Sequence, residues 1–332
     1  MHAPMMRALI VEALEPDYAG CVLKEIATPE PGPGEVRVKV RAASVNFPDL
    51  LMTRGEYQHK PPLPFIPGLE MAGEVDALGE GVTQFKLGDA VVGAVRIGGF
   101  SEYAVSPAAS LRAKPERLSF GEAAAYGAAY VTAYVALVRR AQAQPGEWVL
   151  VHGAAGGVGL AAVDMAKALG CRVIAASASD AKLAVVQAEY APDAVVNVAG
   201  GFREQVKAIT GGRGADVIYD PVGGDVFDES TRCIAFDGRL LVVGFTSGRI
   251  PTISVNMPLI KGFSVLGVRA GEYGRQFPAK GRENQQAIWE MAAEGRVRPR
   301  VHAELPLENW RQAFDLLTDR QVIGKAVIRP DL

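Results

Sequence analysis

The chain has 332 residues, 49% of them hydrophobic and 22% charged, with a net charge of −2. That length exceeds what one hydrophobic core usually supports, so two domains are expected. The near-neutral balance gives no basic field to hold nucleic acid, and no apolar run reaches the roughly 18–20 residues that span a bilayer.

The first third reads as short strands and turns. Residues 35–40 alternate polar and apolar side chains, the mark of a half-buried strand, after a Pro- and Gly-rich run at 29–34. Glycine-punctuated apolar runs at 73–75 and 88–93 extend an all-β pattern, with one short helical turn expected over 47–53. Ser119, with Glu122 three residues later, spells a capping box before an alanine-rich helix. From there strand and helix alternate. A strand at 148–152 leads to a helix at 158–169 ended by Gly170, then a strand at 172–176 and a helix from Asp180. Further strands are expected at 195–197, 215–220, 239–244 and 263–268. Repeated β-α units with continuous apolar strands imply a parallel sheet covered on both faces. After Val268 the rhythm stops, leaving helices at 284–294 and 307–317 and a last strand at 325–328. The fold class is α/β: a Rossmann doubly wound parallel sheet over 124–268, inserted into a β-rich domain made of 1–123 and 269–332.

No apolar signal segment opens the chain. Three widely spaced cysteines, Cys21, Cys171 and Cys233, suit a reducing cytoplasm and argue against a disulfide framework or a zinc site.

Residues 149–159 read Val-Leu-Val-His-Gly-Ala-Ala-Gly-Gly-Val-Gly. A glycine-rich turn between a buried strand and a helix lets backbone approach a pyrophosphate, and the helix start offers free N–H groups. Ala154 takes the first place of the usual G-x-G-x-x-G pattern. Ala155, Gly156, Gly157 and Val158 are the expected phosphate contacts, and His152 reads as a packed strand residue. NAD-specific sites of this kind carry an acid at the end of the second strand. Here Ser177 stands in that place, with Ser179 and Lys182 nearby, so the cofactor expected is NADPH, Ser177 and Lys182 meeting its 2′-phosphate. Two alternatives stay open: Ser179 only caps the next helix and Lys182 is solvated, or Asp180 serves as a ribose ligand.

Four stretches now occur in order: 42–49 (Ala-Ala-Ser-Val-Asn-Phe-Pro-Asp), 67–73 (Pro-Gly-Leu-Glu-Met-Ala-Gly), 153–159, and 220–224 (Asp-Pro-Val-Gly-Gly). Together the chain resembles the medium-chain dehydrogenase/reductase superfamily, and within it the zinc-free, zeta-crystallin-like quinone oxidoreductases. The resemblance spans essentially the whole chain and implies a GroES-like β-rich catalytic domain around the Rossmann domain. The zinc ligands of the related alcohol dehydrogenases fall at Asn46, Leu69 and near Ala128. Leucine and alanine have no donor atom, so a tetrahedral zinc is not expected. The lobe that binds a second zinc is also missing, because Gly93 runs almost directly into 98–103. Without a Lewis acid, hydride delivery to a quinone or conjugated enone is the chemistry implied.

The same resemblance puts Asn46 beside the nicotinamide, with Tyr57 as oxyanion or proton donor. Tyr57 reads equally well as packing against the proline run at 61–64, and Arg54 reads as a cofactor phosphate contact or, the simpler reading, as solvated. Thr132 is implied beneath the nicotinamide. Gly244 and Phe245 follow a strand's carboxyl end, where doubly wound sheets bind ligands, and Val268 and Lys325 are implied to close the far wall. Residues 256–268 form an apolar approach to the last strand, which relatives pair across a two-fold axis, so a homodimer is expected, the alternative being an edge protected by its own loop. Three readings follow. The first is NADPH-dependent reduction of quinones. The second is reduction of 2-enoyl thioesters or small enones with Tyr57 as proton donor. The third is a protein that keeps NADPH but has lost turnover, against which the retained Asn46 and Tyr57 speak.

Overall fold

A computed structural model describes residues 4–332. The chain divides into two compact units: one runs to Ala128 and resumes at Arg298, and the other is Ala129–Val297.

The first unit is built on a seven-stranded sheet. Its order is Val301–Pro306, Lys325–Arg329, Glu35–Ser44, Glu70–Leu78, Ala90–Ala94 and Leu111–Ala113, with Tyr103–Pro107 also paired to Glu35–Ser44. The alternation read in the sequence has its expected cause. Val36, Val38 and Val40 are fully buried, whereas Lys39 between them is exposed. Their partners in the core include Leu50, Met52, Phe100 and Phe314. Met5–Val11 pairs antiparallel with Cys21–Ala27 as a separate ribbon. The expected short turn is the helix Phe47–Thr53. The capping box is present: Ser119 N–H donates to Glu122 Oε2 (2.9 Å), and Glu122 N–H donates to Ser119 Oγ (3.1 Å). The late helix begins as a 3-10 turn, Leu307–Asn309, and continues as Trp310–Thr318.

The second unit holds a six-stranded sheet in the order Ala194–Asn197, Arg172–Ser177, Trp148–Val151, Ala215–Asp220, Ile234–Val242, Ser264–Gly267. Every pairing is parallel. Val149, Leu150, Val151, Val217 and Ile218 are 0% exposed, as strands covered on both faces require. This is the doubly wound Rossmann arrangement, and six strands were legible in advance.

The division of the chain differs from the boundaries expected at 123/124 and 268/269. Residues 269–297 lie with the nucleotide-type unit. The reason is side-chain partnership: helix Pro278–Ala293 buries Asn284 and Ile288, and Arg139 of this unit donates to Asn284 Oδ1 and to Glu283 Oε2, both at 2.8 Å. Among the described residues no helix is long and apolar enough to cross a membrane.

Candidate active site

The glycine turn lies where strand Trp148–Val151 hands over to helix Gly157–Ala168. Gly153 turns the chain at a φ of 58°, a conformation favouring glycine. Ala154 and Ala155 are buried, and Ala154 N–H donates to Ala176 O (3.0 Å), tying the turn to the second strand. Gly156 caps the helix in extended conformation and is exposed, while Gly157 and Val158 are half-buried. A Cβ on Gly159 would meet Gly153 O at 2.1 Å, so the helix sits against the turn more closely than any side chain permits. The result is a helix start opened by an exposed Gly156 and half-buried Gly157 and Val158, held from behind by buried small residues. That cradle fits a pyrophosphate.

Ser177 ends the second strand, half-buried. Ser179 is a helix cap, its Oγ accepting from Lys182 N–H. Lys182 is half-buried in the first turn of helix Asp180–Tyr190, and burial lowers its ammonium pKa from the usual value. Asp180, the alternative ribose ligand, accepts from Asn197 Nδ2 at 2.7 Å. His152 is buried, its Nε2 at 2.9 Å from Ser230 Oγ and its ring edge-on to Phe202. Burial pushes its pKa down to about 3. It is a packed group as expected, although the strand ends at Val151 and His152 stands first in the turn that follows.

Gly244 and Phe245 belong to a loop laced to the 220–224 turn. Thr246 N–H donates to Pro221 O and Ser247 N–H to Val222 O. Asp220 Oδ1 in turn accepts from the N–H groups of Val222 and Gly223. Phe245 covers Gly223, where a Cβ would stand 2.9 Å from its ring. Thr132 is half-buried on helix Gly127–Tyr134, and Val268 N–H donates to Val242 O just past the edge strand.

In the first unit the chain gathers a buried polar cluster. Asn46 opens helix Phe47–Thr53 and Lys325 begins the strand Lys325–Arg329. Lys325 Nζ donates to Asn46 Oδ1 at 2.5 Å and stands 3.3 Å from Glu70 Oε1. Asn46 Nδ2 donates to Glu70 Oε1 at 3.0 Å, with Ser44 O and Oγ each at 3.3 Å. Glu70 also accepts from Ser44 Oγ (2.5 Å) and Ala128 N–H (2.8 Å). Beneath it, Asp49 accepts from the N–H groups of Asn46 and Gly68. Burial pushes the Asp49 carboxyl up to about 7 against those two bonds and the opposing charge of Lys325.

Two of the residues expected at the site, Asn46 and Lys325, therefore touch. Tyr57 is partly buried and packs against the first unit's core. Arg54 is not solvated: it lies over the Tyr18 ring at 5.2 Å and donates to Tyr18 Oη, because a guanidinium gains more against an aromatic face than a lone surface position offers. Ser44, Asp49 and Glu70 were quoted in the sequence motifs without a role. The available signal was a glutamate at the start of a strand, directly followed by the apolar pair Met71 and Ala72, since a buried carboxylate needs partners. Leu69, at a zinc-ligand place, is partly buried against the core. Among the described residues no group of three or more His, Cys, Asp or Glu is arranged to hold a metal ion.

Comparison with known proteins matches both units. Residues 32–116 match the alcohol dehydrogenase GroES-like domain family, and residues 157–285 the family described as zinc-binding dehydrogenase. The chain is 40% identical over 307 residues to a quinone oxidoreductase-like protein 2 homolog of Nematostella vectensis, covering 92% of this chain and 84% of that one. It is 33% identical over 309 residues to the quinone oxidoreductase of Rattus norvegicus, covering 92% of each. The mycobacterial protein Rv1454c, solved in complex with NADPH, superposes with a TM-score of 0.88 at 28% identity, over 98% of this chain and 100% of that one.

Proposed function

The chain belongs to the medium-chain dehydrogenase/reductase superfamily, in its zeta-crystallin-like quinone oxidoreductase branch; it is an NAD(P)-dependent oxidoreductase, and we propose that it reduces quinones or other conjugated carbonyls with NADPH and without zinc. The observation that carries this reading is the Asn46 cluster: a carboxamide held among buried polar groups, with Leu69 and the Ala128 side chain offering no donor to a metal. Such a site supplies N–H donation to a carbonyl oxygen and no Lewis acid, which suits reduction of an electron-poor acceptor better than oxidation of a simple alcohol.

Residues 155–158 would hold the pyrophosphate, Ser177 and Lys182 the 2′-phosphate, and Thr132, Gly244, Phe245 and Val268 the nicotinamide end. NADPH bound there supplies a hydride. The chain's own residues would supply orientation and charge: Asn46 and Tyr57 would steady the oxygen on which negative charge grows, and Tyr57 would protonate the product. The preference for NADPH is supported by the absence of an acid at Ser177, since a carboxylate there would repel a 2′-phosphate. The three free, buried cysteines agree with work in a reducing compartment such as the cytoplasm. We further assign a homodimer, supported by the exposed edge strand considered below.

The test is purified, tag-free protein with NADPH and a panel of quinones, enones and enoyl thioesters, followed at the nicotinamide absorbance with and without a chelator. Quinone turnover that the chelator leaves intact is expected. Turnover confined to enoyl thioesters would move the substrate class, and loss of activity with stoichiometric zinc would overturn zinc independence. Lys182→Ala should weaken NADPH, but not NADH, by about 1.5–3 kcal/mol, one charge-assisted contact. Equal weakening of both removes Lys182 from the 2′-phosphate.

A further inference from the structure

An asparagine carboxamide has an oxygen end that accepts and a nitrogen end that donates, and its surroundings decide which way it faces. At Asn46 those surroundings are of opposite kind. Lys325 can only donate, and it stands 2.5 Å from Oδ1. Glu70, as a carboxylate, can only accept, and it stands 3.0 Å from Nδ2. A flipped amide would set its NH2 group against the ammonium and its oxygen against the carboxylate. The two charges thus fix one orientation, and both are nearly sealed from solvent, at 8% and 3% side-chain exposure. Glu70 is itself fixed by Ser44 Oγ and Ala128 N–H.

Of the two Nδ2 hydrogens, one goes to Glu70. The other has Ser44 O and Oγ at 3.3 Å, longer contacts than the bond to Glu70. It is the donor most easily lent to a substrate. An ammonium on the amide oxygen also draws electron density from the nitrogen and strengthens donation at that end.

We propose that Lys325 is a positioning residue for the reduction, orienting and polarising the Asn46 carboxamide so that its second Nδ2 hydrogen is offered to the substrate oxygen. This rests on the reading of Asn46 as a substrate-side group, and it differs from the cofactor contact expected of Lys325 by family resemblance. It also assigns the Glu70–Lys325 pair to catalysis rather than to fold stability alone.

The test uses the full chain, NADPH and 1,4-naphthoquinone. Removing Lys325 alone would strand a buried carboxylate, so the working variant is the charge-neutral pair Lys325→Met with Glu70→Gln, made in the natural chain and in Asn46→Ala. Single-turnover hydride transfer, NADPH dissociation constant and thermal midpoint are measured for each. The expected result is a tenfold or greater loss of rate in the natural background, NADPH affinity within twofold, and no further loss on the Asn46→Ala background. A weakened NADPH affinity with unchanged rate at saturation overturns the proposal in favour of a cofactor contact. An unchanged rate overturns it in favour of a structural pair, and an equal extra loss on the Asn46→Ala background shows that Lys325 does not act through Asn46. If the neutral pair does not fold, Lys325→Arg is read through the same cycle, with the same additive loss counting against the proposal. Full activity of Asn46→Ala with the ion pair intact is a separate result: it removes Asn46 from the substrate side, and the inference falls with that reading.

Discussion

At the scale of single residues, His152 and Asp49 show how burial alone separates two ordinary side chains from their ordinary chemistry. His152 is held neutral, its pKa pushed down to about 3 by burial. Its Nε2 is matched by Ser230, whose own Oγ donates to Val226 O, so Nε2 carries the hydrogen; Nδ1 is buried without a partner. The unfolded chain takes a proton near pH 6.5 and the folded one does not, so the stability His152 contributes is complete above about 6.5 and is lost as pH falls towards 3. The loss at pH 4 is roughly 3 kcal/mol at about 1.4 kcal/mol per pKa unit. Asp49 has the opposite sign. Its folded pKa is raised to about 7, so its contribution is complete below about 4 and lost as pH rises through 7. His152→Leu should therefore gain on the natural protein as pH is lowered from 7 to 4, read as the difference in urea midpoint between the two. Parallel pH profiles would show that the imidazole is not held neutral by the fold.

Tyr57 belongs to the same scale. Its ring already packs against the core, so Tyr57→Phe keeps the packing and removes only the hydroxyl. If that hydroxyl acts in the transition state, single-turnover hydride transfer should fall by up to about 10²–10³ while NADPH affinity holds. An unaltered transfer rate makes Tyr57 a packing residue and leaves Asn46 as the sole donor.

At the scale of elements, the glycine turn separates what the fold needs from what the ligand needs. Gly159 is packed against Gly153 O, and a Cβ there would stand at 2.1 Å. Gly156 is exposed in a conformation any residue adopts, with its nearest obstruction, Gly153 O, at 3.3 Å from a Cβ. Gly159→Ala should lower the thermal midpoint, because backbone must move. Gly156→Ala should leave the midpoint within a degree or two and weaken NADPH at least tenfold, because its methyl occupies the face offered to the phosphates. If the two variants behaved alike, the turn would not be the phosphate cradle. This element was legible from sequence because everything that defines it is local: a buried strand, small residues and a helix start within eleven positions. The Asn46 cluster was not, because its two charged partners arrive from positions 70 and 325, and the bond from Lys325 spans 279 residues. Pairing across that distance leaves no period or spacing to read. The boundary at 297 was hidden for a related reason. Helix Pro278–Ala293 follows the last parallel strand in sequence, and a long-range partner such as Arg139 reveals which unit it joins.

At the scale of the whole molecule, the second unit's sheet ends, among the described residues, on a largely exposed strand that is met by Arg140, whose Nε donates to Gly267 O at 3.1 Å. Strand Ser264–Gly267 ends the six-stranded sheet with Ser264, Val265 and Gly267 exposed. The residues leading to it and beside it are apolar and open: Val255 at 85%, Leu259 at 81%, Ile260 at 72% and Phe236 at 82%. Gly262 lies so close to the Phe236 ring that a Cβ would stand 2.3 Å from it, which places Phe236 against the end of helix Asn256–Lys261 in one continuous patch. An exposed edge strand flanked by such a patch supports the proposed homodimer, in which a second copy would satisfy both features at once by pairing the edge strand with its own counterpart across a two-fold axis. Each burial of a leucine or isoleucine side chain there contributes about 1.5–3 kcal/mol, so four charged substitutions are not needed to break it. Leu259→Asp with Ile260→Asp should shift the natural protein from the mass of two chains to one in light scattering at micromolar concentration. The same change should leave NADPH binding intact, because neither residue is among the proposed cofactor contacts. A natural protein that already runs as a single chain at that concentration would mean the patch serves something other than a second copy.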